Sequence, residues 1–228
     1  MVSSASLTSL LAPKQIKEDP ESLQIWGKDW TNGFVVAPSA IVFPESLDQL
    51  QDLVAYARAH QIKLVPSGGR TGLSGGAVAS QGEVVVSFDR MNKILDFSAK
   101  DRIVTCQPGL VTANLQAFAE EQGLHYPVDF ASAGSSQIGG NVATNAGGIK
   151  VIRYGLTRDW VAGMKVVTGF GALLDCNAGL IKNATGYDFR HLMIGSEGTL
   201  GLIGELDMHL APQPEPQIVM VVGVPSVV

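Results

Sequence analysis

Glycine is distributed unevenly along this chain, and that distribution constrains the fold more than any other feature of the sequence. The 26 glycines crowd into residues 68–76, 134–148 and 195–204, whereas the first sixty residues contain only Gly27 and Gly33. Glycine permits positive φ and lets the main chain approach a ligand without an intervening Cβ. Clustering of this kind predicts binding sites rather than general flexibility.

The composition predicts a globular protein that does not bind nucleic acid. The chain has 228 residues, 46% of them hydrophobic, and a net charge of −5. At roughly 150 residues per domain, this length allows one large or two small domains with a substantial core. An acidic chain without a run of like charges lacks the basic surface that neutralises the phosphates of nucleic acid or anionic lipid.

The few cysteines and histidines predict neither a disulfide framework nor a metal site. Cys106 and Cys176 lie in strand-like stretches without a CxxC spacing, which favours free buried thiols in a reducing cytoplasm. The four histidines show no metal-ligand spacing. Residues 1–11 do not resemble a signal peptide, and the apolar run 218–228 is too short for a membrane helix. We therefore expect a cytoplasmic protein with no membrane span.

Hydrophobic periodicity and the placing of glycine and proline predict four regions. They are a helical arm at 1–35, a first α+β unit at 36–98, a second α+β unit at 99–211, and a linker with the opening strand of a truncated further domain at 212–228. The arm is expected to contain a helix over 6–16. Three closely spaced prolines predict the linker, and the apolar residues after 217 predict the strand.

The first unit reads as a βαβ arrangement with a small parallel sheet. Ser46 and Gln49 form a capping-box pattern, which predicts a helix over about 46–60. Strand-like runs flank it at 41–43 and 62–65, and a third run follows at 83–88. Alternation of strands and a helix is typical of parallel pairing.

The second unit is expected to be mainly antiparallel. A strand at 103–106 precedes a helix over 112–122 that stops at Gly123. The runs 164–168 and 172–176 flank Gly-Phe-Gly, which predicts a hairpin, and 200–210 supplies a further strand.

The first glycine stretch, Val-Pro-Ser-Gly-Gly-Arg-Thr-Gly-Leu-Ser-Gly-Gly at 65–76, directly follows an apolar strand. Its glycines, with hydroxyls at Ser67, Thr71 and Ser74, suit a nest of main-chain N–H groups around an anion. A glycine-rich surface turn would explain the Gly-Gly pair alone. No P-loop or GxGxxG pattern is present. The stretch predicts a phosphate or pyrophosphate site.

The second stretch, residues 132–148, consists almost entirely of small residues and amides, including Gly139-Gly140-Asn141. Such a segment lets main chain approach a flat ligand while amides and hydroxyls supply donors and acceptors. Packing of small-residue helices is the alternative. We interpret the stretch as a binding surface for a planar heterocycle.

The third stretch combines Asn-Ala-Thr-Gly-Tyr-Asp at 183–188 with Gly-Ser-Glu-Gly-Thr-Leu-Gly at 195–201. Each is weak evidence alone. Taken together and in the order in which they occur over about residues 35–215, the motifs of all three stretches resemble the FAD-binding domain of the vanillyl-alcohol oxidase and p-cresol methylhydroxylase (PCMH) flavoproteins. They are particularly similar to the FAD-linked D-2-hydroxyacid dehydrogenases, which include glycolate oxidase and D-lactate and D-2-hydroxyglutarate dehydrogenases.

The resemblance implies an α+β, PCMH-type fold of two subdomains with FAD between them. It assigns the pyrophosphate to the first loop, the ribityl chain and isoalloxazine to the second stretch, and the adenine end to the third. The cofactor-binding residues implied are Pro66, Ser67, Gly68, Gly69, Arg70, Thr71, Gly72, Leu73, Ser135, Ile138, Gly139, Gly140, Asn141, Thr144, Asn145, Gly148, Tyr154, Glu197, Gly198 and Ile203.

Arg70 bears on how FAD is held. Covalent members of the superfamily carry a histidine after the Gly-Gly pair, so Arg70 at that position implies non-covalent FAD. Its side chain is expected either to offset pyrophosphate charge or to point to solvent.

The resemblance further implies oxidation of a small 2-hydroxy acid by hydride transfer to flavin N5, with substrate-binding and metal-binding residues in a C-terminal domain that this chain lacks. No catalytic residue is assigned within the chain, and a homo-oligomer is left open.

Three other interpretations fit the same residues. The chain could be a non-catalytic flavin-binding subunit or fragment that requires a partner polypeptide. It could be the reductase of peptidoglycan precursor synthesis, which shares the fold. A glycine-rich structural domain without a ligand is the third, and it predicts a colourless preparation after incubation with FAD.

Overall fold

The structure, a computed structural model, describes residues 7–177, 179–180, 182–216 and 218–226. The helices are α1 (Pro20–Trp26), α2 (Leu47–Ala59), α3 (Thr112–Glu121), α4 (Ile138–Ala143), α5 (Val151–Tyr154) and α6 (Phe189–Met193), with 3-10 turns at Pro13–Gln15 and Thr157–Trp160. The strands are β1 (Ile16–Lys17), β2 (Ala40–Val42), β3 (Leu64–Ser67), β4 (Val84–Ser87), β5 (Ile94–Ser98), β6 (Ile103–Cys106), β7 (Leu124–His125), β8 (Val161–Thr168), β9 (Leu173–Cys176), β10 (Gly201–His209) and β11 (Ala211–Pro212).

The first sheet has four strands in the order β1-β2-β4-β3. Strands β2 and β3 both pair parallel with β4, and β1 pairs antiparallel with β2 at the edge. Val84, Val85 and Val86 of β4 are completely buried, as expected for a parallel strand that is covered on both faces. The predicted parallel βαβ unit is confirmed.

Helix α2 lies between the two sheets of the molecule. The Ser46 hydroxyl caps it by accepting a 3.2 Å hydrogen bond from the Gln49 N–H, as the capping pattern predicts. In a complete capping box the Gln49 side chain would accept a hydrogen bond from the Ser46 N–H. Gln49 Oε1 instead accepts from the Glu45 N–H, so only the Ser46 half of the predicted box forms. The helix also packs on β10, where a Cβ added to Gly204 would lie 2.3 Å from Leu47 Cδ1.

The second sheet has five strands in the order β5-β6-β10-β8-β9, and all its pairs are antiparallel. The predicted hairpin is β8 and β9, joined through Gly171 at φ +79°. Leu206 at the centre of β10 and Leu115 of α3 are completely buried in one core. The expectation of a mainly antiparallel second unit is confirmed.

Three sequence-based expectations differ from the structure. The described part of the predicted 6–16 helix is helical only at its start, where the Leu7 carbonyl oxygen accepts hydrogen bonds from the N–H groups of Leu10 and Leu11. The short turn Pro13–Gln15 and the start of β1 follow, because Pro13 begins the turn and Ile16 pairs with Val42. The described residues 218–226 form no strand, since no described segment pairs with them. Strand β5 pairs with β6 in the second sheet, although the predicted boundary at residue 98 groups it with the first. The four-region division stays a prediction.

Within the described ranges, no helix is both long enough and apolar enough to span a bilayer.

Candidate functional site

The three glycine-dense stretches meet in the fold, although they are distant in sequence. A Cβ added to Gly69 would lie 2.2 Å from the carbonyl oxygen of Ser135, so the first stretch touches the second. A Cβ on Gly198 would lie 2.4 Å from Cγ of Pro66, so the third stretch touches the first. Side-chain-bearing residues do not tolerate such distances, so glycine at these positions is what allows the stretches to converge.

A cavity of about 290 Å³ opens where the stretches meet. The predicted cofactor-binding residues on its lining are Pro66, Gly68, Gly69, Arg70, Thr71, Gly72, Gly140, Asn141, Thr144 and Glu197. A smaller cavity of about 60 Å³ adjoins it and shares Gln137 in its lining. This second cavity adds Gly139 and Ile203 of the predicted set.

The remaining predicted residues, Ser67, Leu73, Ser135, Ile138, Asn145, Gly148, Tyr154 and Gly198, line neither of these two cavities. Ser67 and Ile138 are completely buried, the first in β3 and the second in the core beside α3. Leu73, in contrast, is 75% exposed, and Ser135 also faces solvent.

Local packing explains the positions of the others. A Cβ on Gly148, which has φ +85°, would lie 2.5 Å from the Asp129 carbonyl oxygen. Asn145 Oδ1 accepts a 3.1 Å hydrogen bond from the Arg158 N–H. Tyr154 lines a separate surface cavity. Contacts of these residues with a cofactor stay predictions.

The loop 68–76 lines the larger cavity and carries main-chain N–H groups that have no acceptor among the described residues. Among the described hydrogen bonds, none is donated by the main-chain N–H of Gly69, Thr71 or Gly72. Asp29 fixes the far end of the loop, because its Oδ2 accepts a 2.9 Å hydrogen bond from the Gly75 N–H. Free main-chain N–H groups on a loop that Asp29 holds in place form an anion-binding concavity.

Arg70 folds back beneath this loop. Its backbone has φ +58°, and its Nη1 donates to the Gly68 carbonyl oxygen at 3.0 Å. The same nitrogen lies 3.3 Å from both carboxylate oxygens of Asp89. The side chain is 25% exposed, so the expectation that it points to solvent is wrong. Arg70 lines the cavity, and its guanidinium is paired to Asp89.

Gln137 carries an unpartnered acceptor at the junction of the two cavities. Its Nε2 donates to Asp89 Oδ1 at 2.8 Å. Its Oε1 is buried and accepts no hydrogen bond within the described part of the chain. Buried polar atoms are nearly always paired with protein or with ordered water in native proteins, so this oxygen is free to accept a hydrogen bond from a water or from a ligand donor.

The Asn-Ala-Thr-Gly-Tyr-Asp motif lies away from both cavities. Asp188 caps α6 and pairs with Arg190 at 2.7 Å. The Arg190 guanidinium also donates to the carbonyl oxygens of Val161 and Ala162 in β8. The motif therefore fastens α6 to the second sheet.

This ion pair predicts a stability change at acid pH. The hydrogen-bonded Arg190 guanidinium lowers the pKa of Asp188 below its usual value of 3.8. A carboxyl whose pKa is lowered by folding stabilises above its unfolded pKa, and that contribution is lost as the pH falls through the folded pKa. We expect Asp188→Asn to reduce the free energy of unfolding at pH 7 and to have a smaller effect near pH 3. Urea unfolding at both values measures this, with the exposed Asp52→Asn as control; equal effects at both pH values would contradict the linkage.

The cysteines and histidines are not part of the cavity. Cys106 and Cys176 are free and buried, and burial raises the pKa of the Cys176 thiol to about 11. Burial also raises the pKa of the Cys106 thiol, so both thiols are protonated at neutral pH. Among the described residues, no group of three or more histidine, cysteine, aspartate and glutamate side chains is placed to hold a metal ion.

Sequence reasoning missed Asp29, Asp89 and Gln137, although each holds or lines the site. Asp89 had a usable signal: β3 and β4 are parallel, so residues just after them meet at one edge of the sheet. Asp89 follows β4 by two residues, and the glycine loop follows β3. Gln137 stands in the second glycine stretch but was not assigned there. Asp29 lies in the arm, where no sequence pattern pointed to the loop.

Comparisons with known proteins agree with this geometry. A family model described as "FAD binding domain" matches residues 38–177. D-2-hydroxyglutarate dehydrogenase of Stutzerimonas stutzeri (strain A1501) is 64% identical over 220 residues, which are 96% of this chain and 47% of that protein. The chain thus spans about half the length of the relatives it matches.

Solved structures show the same fold. An alkyldihydroxyacetonephosphate synthase superposes with a TM-score of 0.84 at 25% identity, covering 95% of this chain and 42% of that one. p-Cresol methylhydroxylase superposes with a TM-score of 0.78 at 19% identity, covering 92% and 43%, a likeness of fold alone. The PCMH-type α+β fold expected from the sequence is confirmed. With the family match spanning most of both sheets, the chain belongs to the FAD binding domain family.

Proposed function

We propose that this chain is the FAD-binding part of an oxidoreductase that oxidises a D-2-hydroxy acid. Bound FAD supplies a hydride acceptor at N5 for the hydrogen on the hydroxyl-bearing carbon. The names of the relatives, D-2-hydroxyglutarate dehydrogenase at 64% and 54% identity, support this substrate class. Because those relatives are about twice as long, the activity is assigned to the longer protein.

The observation that carries the proposal is the convergence of three glycine stretches on one cavity. The contact of Gly69 with Ser135 brings the second stretch against the first, and the contact of Gly198 with Pro66 brings the third. Residues with free main-chain N–H groups line the cavity, and so does Gln137, whose buried Oε1 has no partner among the described residues. FAD combines an anionic pyrophosphate with hydroxyl and N–H donors, so the residues present fit it.

The electrostatics favour binding of the pyrophosphate by main chain. Arg70 lines the cavity, yet Asp89 pairs with it, and the carboxylates of Asp29 and Glu197 lie on the same lining. A dianion here is therefore stabilised by N–H dipoles of the loop rather than by a net positive field. This arrangement suits an acidic protein with a net charge of −5.

Non-covalent attachment is a further part of the proposal. Arg70 follows the Gly-Gly pair and is engaged with Asp89. Among the described lining residues of the larger cavity there is no histidine, cysteine or tyrosine side chain that could bond the flavin. FAD is accordingly expected to dissociate without breaking a bond.

The flavin-release experiment tests this directly. The chain is loaded with FAD, precipitated with trichloroacetic acid, and the flavin absorbance of supernatant and pellet is compared. We expect all the yellow colour in the supernatant. Colour retained in the pellet would contradict non-covalent binding, and a preparation that stays colourless after incubation with FAD would contradict the cofactor site itself.

A second candidate function is a non-catalytic flavin-binding subunit that needs a partner polypeptide. Dye reduction dependent on D-2-hydroxyglutarate separates the two when the chain is compared with a version extended at its C-terminus. Activity of the extended version alone supports the dehydrogenase. Activity that appears only after adding a separate polypeptide supports the subunit.

We further propose a cytoplasmic location. Two free buried cysteines support a reducing compartment. A self-association of the chain stays a prediction that sedimentation would check.

A further inference from the structure

One carboxylate, that of Asp89, connects three separate parts of the FAD site. Its Oδ2 accepts a 2.7 Å hydrogen bond from Trp26 Nε1 at the end of α1. Its Oδ1 accepts a 2.8 Å hydrogen bond from Gln137 Nε2 at the start of α4. Arg70 of the glycine loop lies 3.3 Å from both oxygens. Asp89 thus holds the arm, the first stretch and the second stretch to one point.

The bond to Asp89 determines which way the Gln137 amide faces. A carboxylate is an acceptor only, so the NH₂ group of Gln137 must face it and the carbonyl oxygen must face away. That oxygen is directed toward the first stretch, 3.4 Å from where a Cβ of Gly68 would lie. Gln137 is 6% exposed, and its Oε1 is without a partner among the described residues. The result is a buried, unpartnered acceptor on a residue that lines both cavities.

The chemistry of that acceptor limits what it contacts. The pyrophosphate diester of FAD carries no hydrogen at neutral pH, so it cannot donate to Gln137 Oε1. The donors of FAD are its ribityl and ribose hydroxyls, the ring imide N–H and the adenine amino group. A buried oxygen that faces a donor contributes to affinity, whereas an NH₂ group turned to the same place would face another donor and lose the bond.

We propose that Asp89 is a positioning residue of the cofactor site, which fixes the Gln137 side chain so that Oε1 accepts a hydrogen bond from a hydroxyl or N–H of FAD. Trp26 and Arg70 hold Asp89 in place for this purpose. The inference rests on the proposed function, because it requires FAD in the cavity.

The test measures the dissociation constant of FAD by flavin fluorescence for a set of variants of this chain. Gln137→Met keeps the side-chain length and removes the acceptor, and we expect affinity to fall about tenfold. Asp89→Leu removes both acceptor oxygens and is expected to cause a similar loss. Asp89→Asn keeps one acceptor oxygen, so its loss is expected to be smaller. The exposed Asp52→Asn in α2 serves as control and leaves the affinity unchanged.

The double variant separates positioning from a general structural role. If Asp89 acts through Gln137, then Asp89→Leu weakens FAD binding about tenfold in the wild-type background but less than about twofold in the Gln137→Met background. An equal loss in both backgrounds would overturn the proposal. Thermal unfolding of each apo variant identifies any that fail to fold, and for Asp89→Leu the comparison then passes to Asp89→Asn.

A parallel titration with ADP locates the donor. A loss seen with FAD but not with ADP places the donor on the flavin half, and a similar loss with both places it on the adenosine half. Unchanged FAD affinity in Gln137→Met overturns the inference while leaving the proposed function intact. Failure of the wild-type chain to bind FAD overturns the proposed function first.

Discussion

Gly69→Ala is expected to lower the affinity for FAD about a hundredfold. The added Cβ would lie 2.2 Å from the Ser135 carbonyl oxygen and 2.8 Å from the Ser136 Cα, and both are main-chain atoms that no side-chain rotation can move away. The two glycine stretches must therefore separate, which opens the cavity between them. Overpacking of this kind costs about 3 kcal/mol at its upper range, which corresponds to roughly a hundredfold in a dissociation constant.

The control for this variant is Gly134→Ala in the second stretch. A Cβ on Gly134 meets no atom within 4 Å, and its φ is not positive. We expect the FAD affinity of this variant to stay within about twofold of the wild type. Titration of apo protein with FAD measures both variants, and circular dichroism verifies that each is folded. Tight FAD binding by folded Gly69→Ala would mean that the stretches need not touch.

Gly198→Ala is expected to weaken FAD binding about thirtyfold and to destabilise the chain as well. Gly198 has φ +80°, and its Cβ would lie 2.4 Å from Cγ of Pro66. The ring of Pro66 cannot rotate away, because it is part of the backbone of β3. A left-handed backbone conformation costs a non-glycine residue about 1 to 2 kcal/mol of folding free energy. The collision with Pro66 also displaces the third stretch from the first, and this displacement weakens FAD binding.

A matched control separates the two causes. Gly186 has φ +72°, and nothing lies within 4 Å of the position of its Cβ. Gly186→Ala therefore carries the backbone strain without the collision, and we expect it to lower the free energy of unfolding by about 1 kcal/mol while FAD affinity stays unchanged. Equal FAD affinities for the two variants would show that the contact with Pro66 is unimportant for the site.

Much of the fold was accessible from local sequence patterns. The parallel unit was predictable because β4 is a continuous valine run with full burial on both faces. Helix α2 was predictable because Ser46 and Gln49 cap it and its apolar residues recur at helical spacing. Of the expected helix at 6–16, the described residues form only a helical turn over residues 7–11 before Pro13 begins a 3-10 turn. The expected strand after 217 does not form in the described residues, because no described segment pairs with it.

The site was predictable in its glycines and not in its polar contacts. The close approaches of Gly69 and Gly198 reflect a property of the residue itself, so the sequence carried the signal. Asp29 and Asp89 gain their roles only when the arm and the end of β4 meet the glycine loop. For Arg70 the sequence offered two directions, and its pairing with Asp89 became evident only once β3 and β4 were placed side by side.

Because residues of the arm hold the glycine loop in place, a segment of this chain that is to keep the site intact must include the arm. The recognisable family segment covers residues 38–177, yet Trp26 and Asp29 lie before it, and β10, the central strand of the second sheet, lies after it. A segment trimmed to the recognisable part would keep the glycines of the first two stretches and lose the clamps that hold them in shape. The segment that the family model recognises is therefore shorter than the segment whose residues hold the glycine stretches in place.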